Sequence, residues 1–118
     1  MIPKIFKCIS ENTPVPVYGD GEQVREWIHA DDNAEAIYNI MVSDLVNEIF
    51  NIGSGFTITN NKLIKIISQA LGKPINFNYV SDRLGHDRRY SLDSTKYKNI
   101  FGSPTNIDLT DWLYNKIK

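Results

Sequence analysis

The densest group of chemically useful side chains lies between Asp82 and Tyr90. Three arginines, one histidine and two aspartates surround Gly85 in this stretch. Guanidinium groups bind phosphate oxygens through paired hydrogen bonds, and a histidine can add a further donor. Runs of charged residues are more often solvated loops whose charges pair with one another. From these residues alone, both interpretations stay open: a clamp for an anion, or an exposed loop with internal ion pairs.

A second candidate group follows a short predicted strand. Tyr18 ends that strand, a Gly-Asp-Gly turn follows it, and Arg25 comes shortly after the turn. The Arg25 side chain could reach the same anion as Arg83, or it could simply pair with Glu22 or Glu26. The spacing by itself does not decide between these two roles.

Two further patterns favour structural roles. The glycine pairs at residues 19–21 and 53–55 lack the third glycine that a dinucleotide-binding fingerprint requires, so they predict plain turns. Tyr114 and Lys118 have the spacing of the catalytic pair of short-chain dehydrogenases. Because Lys118 is the last residue of a helix end that is expected to fray, we interpret this spacing as a chance match.

Composition excludes several classes of protein. The net charge is −1, without the basic excess that is typical of nucleic-acid binding, and no apolar run is long enough to cross a membrane. One cysteine, Cys8, excludes an internal disulfide. The two histidines, His29 and His86, are far apart in sequence and no group has metal-ligand spacing, so no metal site is predicted. His29 is expected to be a hydrogen-bonded residue at an element boundary.

The elements that must position these side chains form a small mixed α/β domain over residues 1–118. The clearest helix has Thr59 as its N-cap and ends at Gly72, with an apolar stripe of Leu63, Ile66, Ile67, Ala70 and Leu71. Other helices are predicted after Pro3, from Asp31 or Asp32, from Asp93 or Ser94, and from Asp108. Strands are predicted at residues 15–18, 48–52 and 75–80, and Pro16 favours an edge position for the first.

The same patterns predict which side chains of the other helices face the core. The predicted inward residues are Ala34, Ile37, Tyr38 and Met41 in the second helix, Tyr97, Ile100 and Phe101 in the fourth, and Leu109, Trp112 and Leu113 in the last.

Several short motifs occur along the chain in one order: Pro-Val-Tyr-Gly-Asp-Gly from residue 16, Val-Arg-Glu-Trp-Ile from residue 24, Phe-Asn-Ile-Gly from residue 50, and Gly-His-Asp-Arg-Arg-Tyr from residue 85. Together they resemble the C-terminal, substrate-binding part of the nucleoside-diphosphate-glucose 4,6-dehydratases, the dTDP-glucose enzymes above all, within the extended short-chain dehydrogenase/reductases. The last motif is the most specific, because the others are shared with epimerases and decarboxylases. The resemblance runs from about Ile2 to Gly102.

The resemblance implies a set of residues that bind the nucleotide sugar. Pro16, Val17 and Tyr18 would line the nucleotide pocket, and Asn51 would hydrogen-bond the nucleotide. Arg25 and Arg83 would contact the diphosphate. The segment that closes over the ligand would comprise Asp82, Arg83, Leu84, Gly85 and His86, with Tyr90 as a further member. Leu84 stands where the family usually has proline, which removes a rigid φ angle but no contact.

The resemblance also implies a division of labour. In the family, an N-terminal Rossmann domain binds NAD and carries the Tyr/Lys pair, and the whole enzyme converts dTDP-glucose to dTDP-4-keto-6-deoxyglucose. This chain would hold a nucleoside-diphosphate sugar of the dTDP- or UDP-glucose type, without a catalytic residue or cofactor of its own, and would be inactive alone. A Rossmann-domain half or a second copy is the expected partner, and the cytoplasm the expected location.

Three alternatives to this interpretation stay open. The chain could be a stand-alone, non-catalytic nucleotide-binding relic. It could be the corresponding part of a UDP-glucose 4,6-dehydratase or of another nucleotide-sugar epimerase or dehydratase. It could also be a structural fragment whose exposed apolar surface self-associates.

Overall fold

The computed structural model of this protein describes residues 1–117. Within these residues the chain is a mixed α/β fold, as the sequence predicts, with the five predicted helices and five short strands, of which the sequence predicted only those near residues 15–18 and 75–80. In chain order the elements are α1 (Ile2–Ser10), β1 (Val15–Tyr18), β2 (Val24–Glu26), α2 (Ala30–Met41), β3 (Thr57–Thr59), α3 (Asn60–Leu71), β4 (Phe77–Val80), β5 (Arg89–Tyr90), α4 (Thr95–Phe101) and α5 (Leu109–Ile117). None of the described helices is long and apolar enough to cross a membrane.

The strands form two small sheets. β1 pairs with β4 in parallel, so Pro16 lies in a two-stranded sheet, where every strand is an edge, as its missing N–H predicts. β2 is the central strand of the other sheet and is antiparallel to β3 and parallel to β5. The register aligns Arg25 with Ile58 on one side and with Tyr90 on the other. The fold therefore brings the residue 25 and residue 90 segments together.

The core lies between α1, β1, α3 and α5. Its buried members are Ile5, Cys8, Val15, Val17, Ile58, Leu63, Ile64, Ile67 and Leu113. Each large aliphatic side chain buried in this way contributes roughly 1.5–3 kcal/mol. This core holds β1 and the start of α3, which are two of the elements that surround the candidate site described below.

Helix α3 forms as predicted, because all of its signals are local. The Thr59 hydroxyl accepts a hydrogen bond from the Lys62 backbone N–H at 3.2 Å, and Gly72 ends the helix with a φ of 64°. Leu63 and Ile67 of the predicted stripe are buried, and Ile64 joins them on the same face. The last helix is also confirmed, since the Asp108 carboxylate accepts hydrogen bonds from the backbone N–H groups of residues 110 and 111.

The strand predicted at residues 48–52 is wrong. This segment is irregular, and side chains of the α4 region contact it where a neighbouring strand would otherwise lie. The Lys96 ammonium donates to the Ile49 carbonyl at 3.0 Å, and the Phe50 ring packs edge-on against Tyr97 and Phe101. Aromatic side chains and a lysine thus hold this segment, instead of a ladder of backbone hydrogen bonds.

The predicted cap and apolar face of the second helix are also wrong. His29, and not Asp31 or Asp32, is the N-cap, since its Nδ1 accepts a hydrogen bond from the Asp31 N–H at 3.2 Å. This contact confirms that His29 is a hydrogen-bonded boundary residue. The residues predicted to face the core are exposed instead. Helix α2 lies at the rim of the fold, and its buried residues are Asp32 and Ala36. The side chains left exposed are Ala34, Ile37, Tyr38 and Met41, and Ile100 of α4 is half-exposed for the same reason.

Asp32 supports a first prediction. Its carboxylate is 3% exposed and accepts hydrogen bonds from the backbone N–H groups of Asn106 and Ile107, at 3.1 and 3.0 Å. Asp32→Ala leaves both donors without their acceptor and should lower the free energy of unfolding by about 1.5–3 kcal/mol. Urea denaturation followed by circular dichroism measures this. Asp31→Ala is the matched control on the same helical turn, since the Asp31 side chain is 84% exposed, and equal losses for both variants would contradict the prediction.

Candidate functional site

A pocket of about 390 Å³ lies where α1, β1, β2, the start of α3 and the segment 81–88 meet. Its lining residues are Met1, Lys4, Tyr18, Arg25, Glu26, Trp27, Asn60, Arg83 and His86. Four of the sequence-predicted residues are among them: Tyr18, Arg25, Arg83 and His86. The two arginines that are far apart in sequence thus line one cavity.

Arg25 is held in place by groups that leave its charge uncompensated. Its guanidinium donates to the carbonyl oxygens of Val24 and Asp87, at 2.7 and 3.0 Å, and lies over the Tyr90 ring, 4.8 Å from the ring centroid. The parallel register of β2 and β5 produces this stack. Carbonyl oxygens and an aromatic face orient a guanidinium without neutralising it, so its positive charge stays available to a bound anion.

Tyr90 supports Arg25 from behind and is not among the residues that line the pocket. Its hydroxyl donates a hydrogen bond to the Asp87 carboxylate, and this hydrogen bond raises the pKa of Tyr90 above its ordinary value of 10.0. The ring therefore keeps its proton and its neutral face toward Arg25 at physiological pH.

The Asp82 carboxylate organises the loop that carries Arg83 and His86. One oxygen accepts hydrogen bonds from the His86 Nδ1 at 2.6 Å and from the Arg83 backbone N–H at 2.9 Å. The other oxygen accepts from the Gln23 side-chain amide at 3.1 Å. The hydrogen bond from His86 is the largest cause that lowers the pKa of Asp82 below its ordinary value of 3.8. Because an ionised carboxylate only accepts hydrogen bonds, Nδ1 of His86 must carry the proton.

The arginines of the charged run have different surroundings. Arg88 makes a two-point ion pair with the Asp20 carboxylate, at 2.8 and 2.9 Å, and Arg89 donates to the Ser91 hydroxyl at 3.0 Å. Within residues 1–117, no hydrogen bond or ion pair engages the Arg83 guanidinium or the Lys4 ammonium. Arg88 and Arg89 thus match the loop with internal pairing, whereas Arg83 has the free charge that an anion clamp needs.

The pocket carries a local excess of positive charge in a chain whose net charge is −1. Lys4, Arg25 and Arg83 face one carboxylate, that of Glu26. The Glu26 oxygens are engaged by the backbone N–H groups of Gly55 and Leu92, at 2.6 and 2.7 Å. Glu26 therefore fastens two loops to β2, and among the described residues its carboxylate forms no ion pair with either arginine. Three cationic groups around a cavity of this size suit an anion with two phosphate groups.

The other predicted site residues lie outside the pocket lining. Val17 is fully buried in the core, and Pro16 is half-buried beside it on β1. The Asn51 amide donates to the Asp93 carbonyl at 3.2 Å, on the segment packed against α4. Leu84 is fully exposed and Gly85 forms the bend of the loop with a φ of 69°. Asp82 and Tyr90 contact pocket residues from behind.

The structure adds residues that the sequence did not single out. Asn60 begins α3 and lines the pocket, together with Lys4 of α1 and Trp27 after β2. The Thr59 cap locates the first residue of α3 from sequence, but no sequence signal places that residue beside β2. Its position depends on the antiparallel pairing of Val24 with Thr59.

Protein side chains closely approach three of the four glycines in the two pairs. A Cβ at Gly19 would lie 2.8 Å from the Asp82 carboxylate, at Gly21 2.1 Å from the Asn61 side chain, and at Gly53 2.6 Å from the Glu26 carboxylate. At Gly55 the nearest group is the Lys98 ammonium, at 3.4 Å. Within residues 1–117, no cluster of three or more His, Cys, Asp or Glu side chains could hold a metal ion. The Tyr114 and Lys118 pair reaches beyond the described residues.

The model of the NAD dependent epimerase/dehydratase family matches residues 1–53. A dTDP-glucose 4,6-dehydratase of Streptomyces griseus is 38% identical over 114 residues, which are 96% of this chain and 35% of the relative. The DesIV dTDP-glucose 4,6-dehydratase of Streptomyces venezuelae, solved with NAD bound, superposes with a TM-score of 0.89 at 35% identity, over 98% of this chain and 36% of that one. The chain is therefore similar to the NAD-dependent epimerase/dehydratase family over residues 1–53, and to dTDP-glucose 4,6-dehydratases over almost its whole length.

The chain matches the C-terminal part of the dTDP-glucose 4,6-dehydratase structures and spans about a third of the length of the relatives it matches. The low-salt glycan biosynthesis protein Agl12 of Haloferax volcanii is also 38% identical, over 88% of this chain and 34% of that protein. A UDP-N-acetylglucosamine 4-epimerase of Methanobrevibacter ruminantium, in complex with UDP-N-acetylmuramic acid, superposes with a TM-score of 0.88 at 29% identity, over 99% of this chain and 37% of that one.

The Asp82 and His86 pair supports a second prediction. His86→Ala removes the largest cause of the lowered pKa, so the pKa of Asp82 should rise toward 3.8. The pKa of Asp82 is lower in the folded state than in the unfolded state. The ionised Asp82 therefore stabilises the fold at any pH above its unfolded-state pKa, and this stabilisation is lost as the pH falls through its folded-state pKa. Carboxyl ¹³C NMR titration measures the shift. His29→Ala, at the other histidine, is the control, and an unchanged Asp82 midpoint in His86→Ala would refute the assignment.

Proposed function

We propose that this chain is the nucleoside-diphosphate-binding part of a nucleotide-sugar 4,6-dehydratase, with dTDP-glucose as the substrate class. The observation that carries the proposal is the shared pocket of Arg25 and Arg83, in which neither guanidinium is neutralised by a carboxylate. The relatives at 38% identity, among them dTDP-glucose 4,6-dehydratases, support the choice of substrate class.

The lining residues suggest how such a ligand is held. The two guanidinium groups bind the phosphate oxygens, and the Lys4 ammonium adds a third positive charge at the Tyr18 side, 5.8 Å from that ring. The Tyr18 and Trp27 rings offer apolar surfaces for a nucleobase, and the Asn60 amide offers both a donor and an acceptor. These residues bind and orient, and none of them is proposed to carry out chemistry.

Hydride chemistry falls outside this proposal for residues 1–117, since their two glycine pairs lack the third glycine of a dinucleotide-binding fingerprint. Relatives such as the Streptomyces venezuelae enzyme bind NAD, which supplies a hydride acceptor and donor when bound. We assign that step, and the Tyr/Lys pair implied by the resemblance, to the portion of the relatives that this chain does not span. The 118-residue chain alone is therefore proposed to be inactive, and incubation with dTDP-glucose and NAD should yield no 4-keto product.

The strength of binding follows from two opposing terms. Each arginine contributes on the order of 1.5–3 kcal/mol through charge-assisted hydrogen bonds. Ordering the ligand and the exposed 82–86 loop costs several kcal/mol. Because the two terms oppose each other, we expect weak binding by the chain alone, with a dissociation constant on the order of 1 mM, which corresponds to about −4 kcal/mol.

Substitution of the two arginines tests the proposal directly. Arg25→Ala and Arg83→Ala should each weaken dTDP binding by about tenfold or more, because each removes one charge-assisted contact to the diphosphate. NMR titration of the ¹⁵N-labelled chain with dTDP, and with UDP for comparison, measures the dissociation constants. Arg89→Ala is the matched control, since that guanidinium binds Ser91 and does not line the pocket.

Two outcomes would count against this function. If neither arginine variant changes the dissociation constant for dTDP, then Arg25 and Arg83 do not bind the diphosphate and are ordinary surface residues. Nanomolar binding by the 118-residue chain would show that one open pocket suffices, contrary to the division of labour proposed here. A preference for UDP over dTDP would favour the alternative, a UDP-sugar epimerase or dehydratase, which the 29% identical UDP-N-acetylglucosamine 4-epimerase represents.

The outward face of α2 suggests where the remainder of such an enzyme packs. The helix and the segment after it expose a continuous apolar surface. Its members are Ile37, Tyr38, Met41, Val42, Leu45, Val46 and Ile49. Surfaces of this kind tend to acquire partners. We assign this surface to contact with the portion of the relatives that the chain does not span, or with a second copy when that portion is absent.

A change of oligomeric state tests this surface. The 118-residue chain should self-associate with rising concentration, and Met41→Lys should return it to monomer, because a charge at this 71% exposed position opposes burial. Size-exclusion chromatography with light scattering measures the mass. Leu84→Lys, at a fully exposed leucine on the pocket loop, is the control and should not change association. A wild-type chain that stays monomeric at millimolar concentration would contradict the assignment.

A further inference from the structure

Gln23 is a buried amide that contacts two walls of the pocket without lining it. It is 2% exposed and directly precedes β2. Its Nε2 donates to the Asp82 carboxylate at 3.1 Å, and its Oε1 accepts from the Asn60 side-chain amide at 3.4 Å. The backbone repeats the second link, since the Asn60 N–H donates to the Gln23 carbonyl at 3.2 Å. A buried amide that loses its partners costs free energy, so both contacts constrain the groups that make them.

The backbone around this contact has no room for a side chain at residue 19. A Cβ on Gly19 would lie 2.8 Å from the Asp82 carboxylate and 3.0 Å from the Gln23 amide nitrogen. Gly19 also has a φ of 59°, which favours glycine. The turn after β1 therefore passes close to the hydrogen bond between Gln23 and Asp82. A side chain at residue 19 would clash with both partners, so the glycine allows this hydrogen bond to form.

The contact extends through Asp82 to the residues that face the ligand. The same carboxylate accepts hydrogen bonds from the Arg83 N–H and from His86 Nδ1. We propose that Gln23 is a positioning residue of the pocket, which holds the Arg83 and His86 loop at a fixed distance from Asn60 on α3. This inference rests on the proposed function for its effect on ligand binding, whereas its effect on the loop is independent of any ligand.

The ion pair between Arg88 and Asp20 also joins the turn after β1 to the loop, but it does not replace the hydrogen bond between Gln23 and Asp82. The side chains of this ion pair are 63% and 57% exposed. Exposed ion pairs contribute little because water and salt screen them. The Gln23 contact is buried on the amide side and leads directly to the residues that line the pocket. It is therefore the contact that fixes the loop.

The experiment measures the loop first and binding second. Gln23→Met keeps the length of the side chain but removes both hydrogen bonds. Amide hydrogen exchange by NMR should be several-fold faster at Arg83 in this variant, and dTDP binding should be about three- to tenfold weaker. Gln69→Met, the same change at an exposed glutamine on α3, is the matched control and should alter neither measurement.

A second variant gives a readout that a merely structural role would not change. Gln23→Glu places a carboxyl group against the Asp82 carboxylate, beside His86 and the Arg83 backbone. Two ionised carboxylates in contact repel, and one of them then titrates with a raised pKa. Relative to wild type at the same pH, the Arg83 amide should exchange faster near pH 8 and recover near pH 5, where the pair shares a proton.

The outcomes separate the two proposals. Unchanged Arg83 exchange in Gln23→Met would overturn the positioning role, whether or not dTDP binds. Absence of dTDP binding by the wild-type chain would refute the proposed function, while the exchange measurement would still decide the role of Gln23. If circular dichroism shows that Gln23→Met is unfolded, the Gln23→Glu comparison decides. A ratio of Arg83 exchange rates, Gln23→Glu over wild type, that is the same near pH 5 and near pH 8 would overturn the inference.

Discussion

The central position of β2 is the constraint on which the candidate site depends. The strand has only three residues, yet it pairs with β3 on one side and with β5 on the other. Three of the four residues from 23 to 26 then fix different parts of the pocket. Gln23 holds the loop at residue 82, Arg25 lies on Tyr90, and Glu26 fastens the loops at Gly55 and Leu92. Because these contacts depend on the register, a shift of one residue would point Arg25 to the opposite face of the sheet.

The partners of each arginine separate structural charge from available charge. Three arginines crowd the segment from Asp82 to Tyr90, and composition alone does not distinguish them. Arg88 forms an ion pair with Asp20, which neutralises its charge. Arg25 is instead oriented by carbonyl oxygens and an aromatic ring, which do not neutralise its charge. A guanidinium held in this way is already arranged for an anion, so less conformational entropy is lost when the anion binds. This difference, and not the number of arginines, is what indicates a binding site.

The sequence predicted those features whose signals are local. Helix α3 carries its cap, its stripe and its terminating glycine within one segment, and it forms as predicted. The outward face of α2 could not be predicted, because a periodic pattern shows that a helix has an apolar side but not which neighbour covers it. The segment 48–52 has the composition of a short strand, but it belongs to neither of the two sheets among the described residues and packs against aromatic side chains of α4. Asn51 and Asn60 show the same limit for the site, since only the pairing of β2 with β3 decides which asparagine lines the pocket.

The geometry of the pocket also supports the weak nucleoside-diphosphate binding that we propose for this chain. The cationic groups lie along one open cavity, and Arg83 is carried by an exposed loop whose tip, Leu84, contacts solvent on every side. Polar contacts to Asp82 at the base hold this loop, and no apolar side chain of the loop reaches the core. A loop anchored in this way is positioned but not rigid, so a ligand must supply part of the ordering free energy. A second surface that closed over the sugar would add contacts without further loop ordering, and in such an arrangement the affinity would come from both parts together.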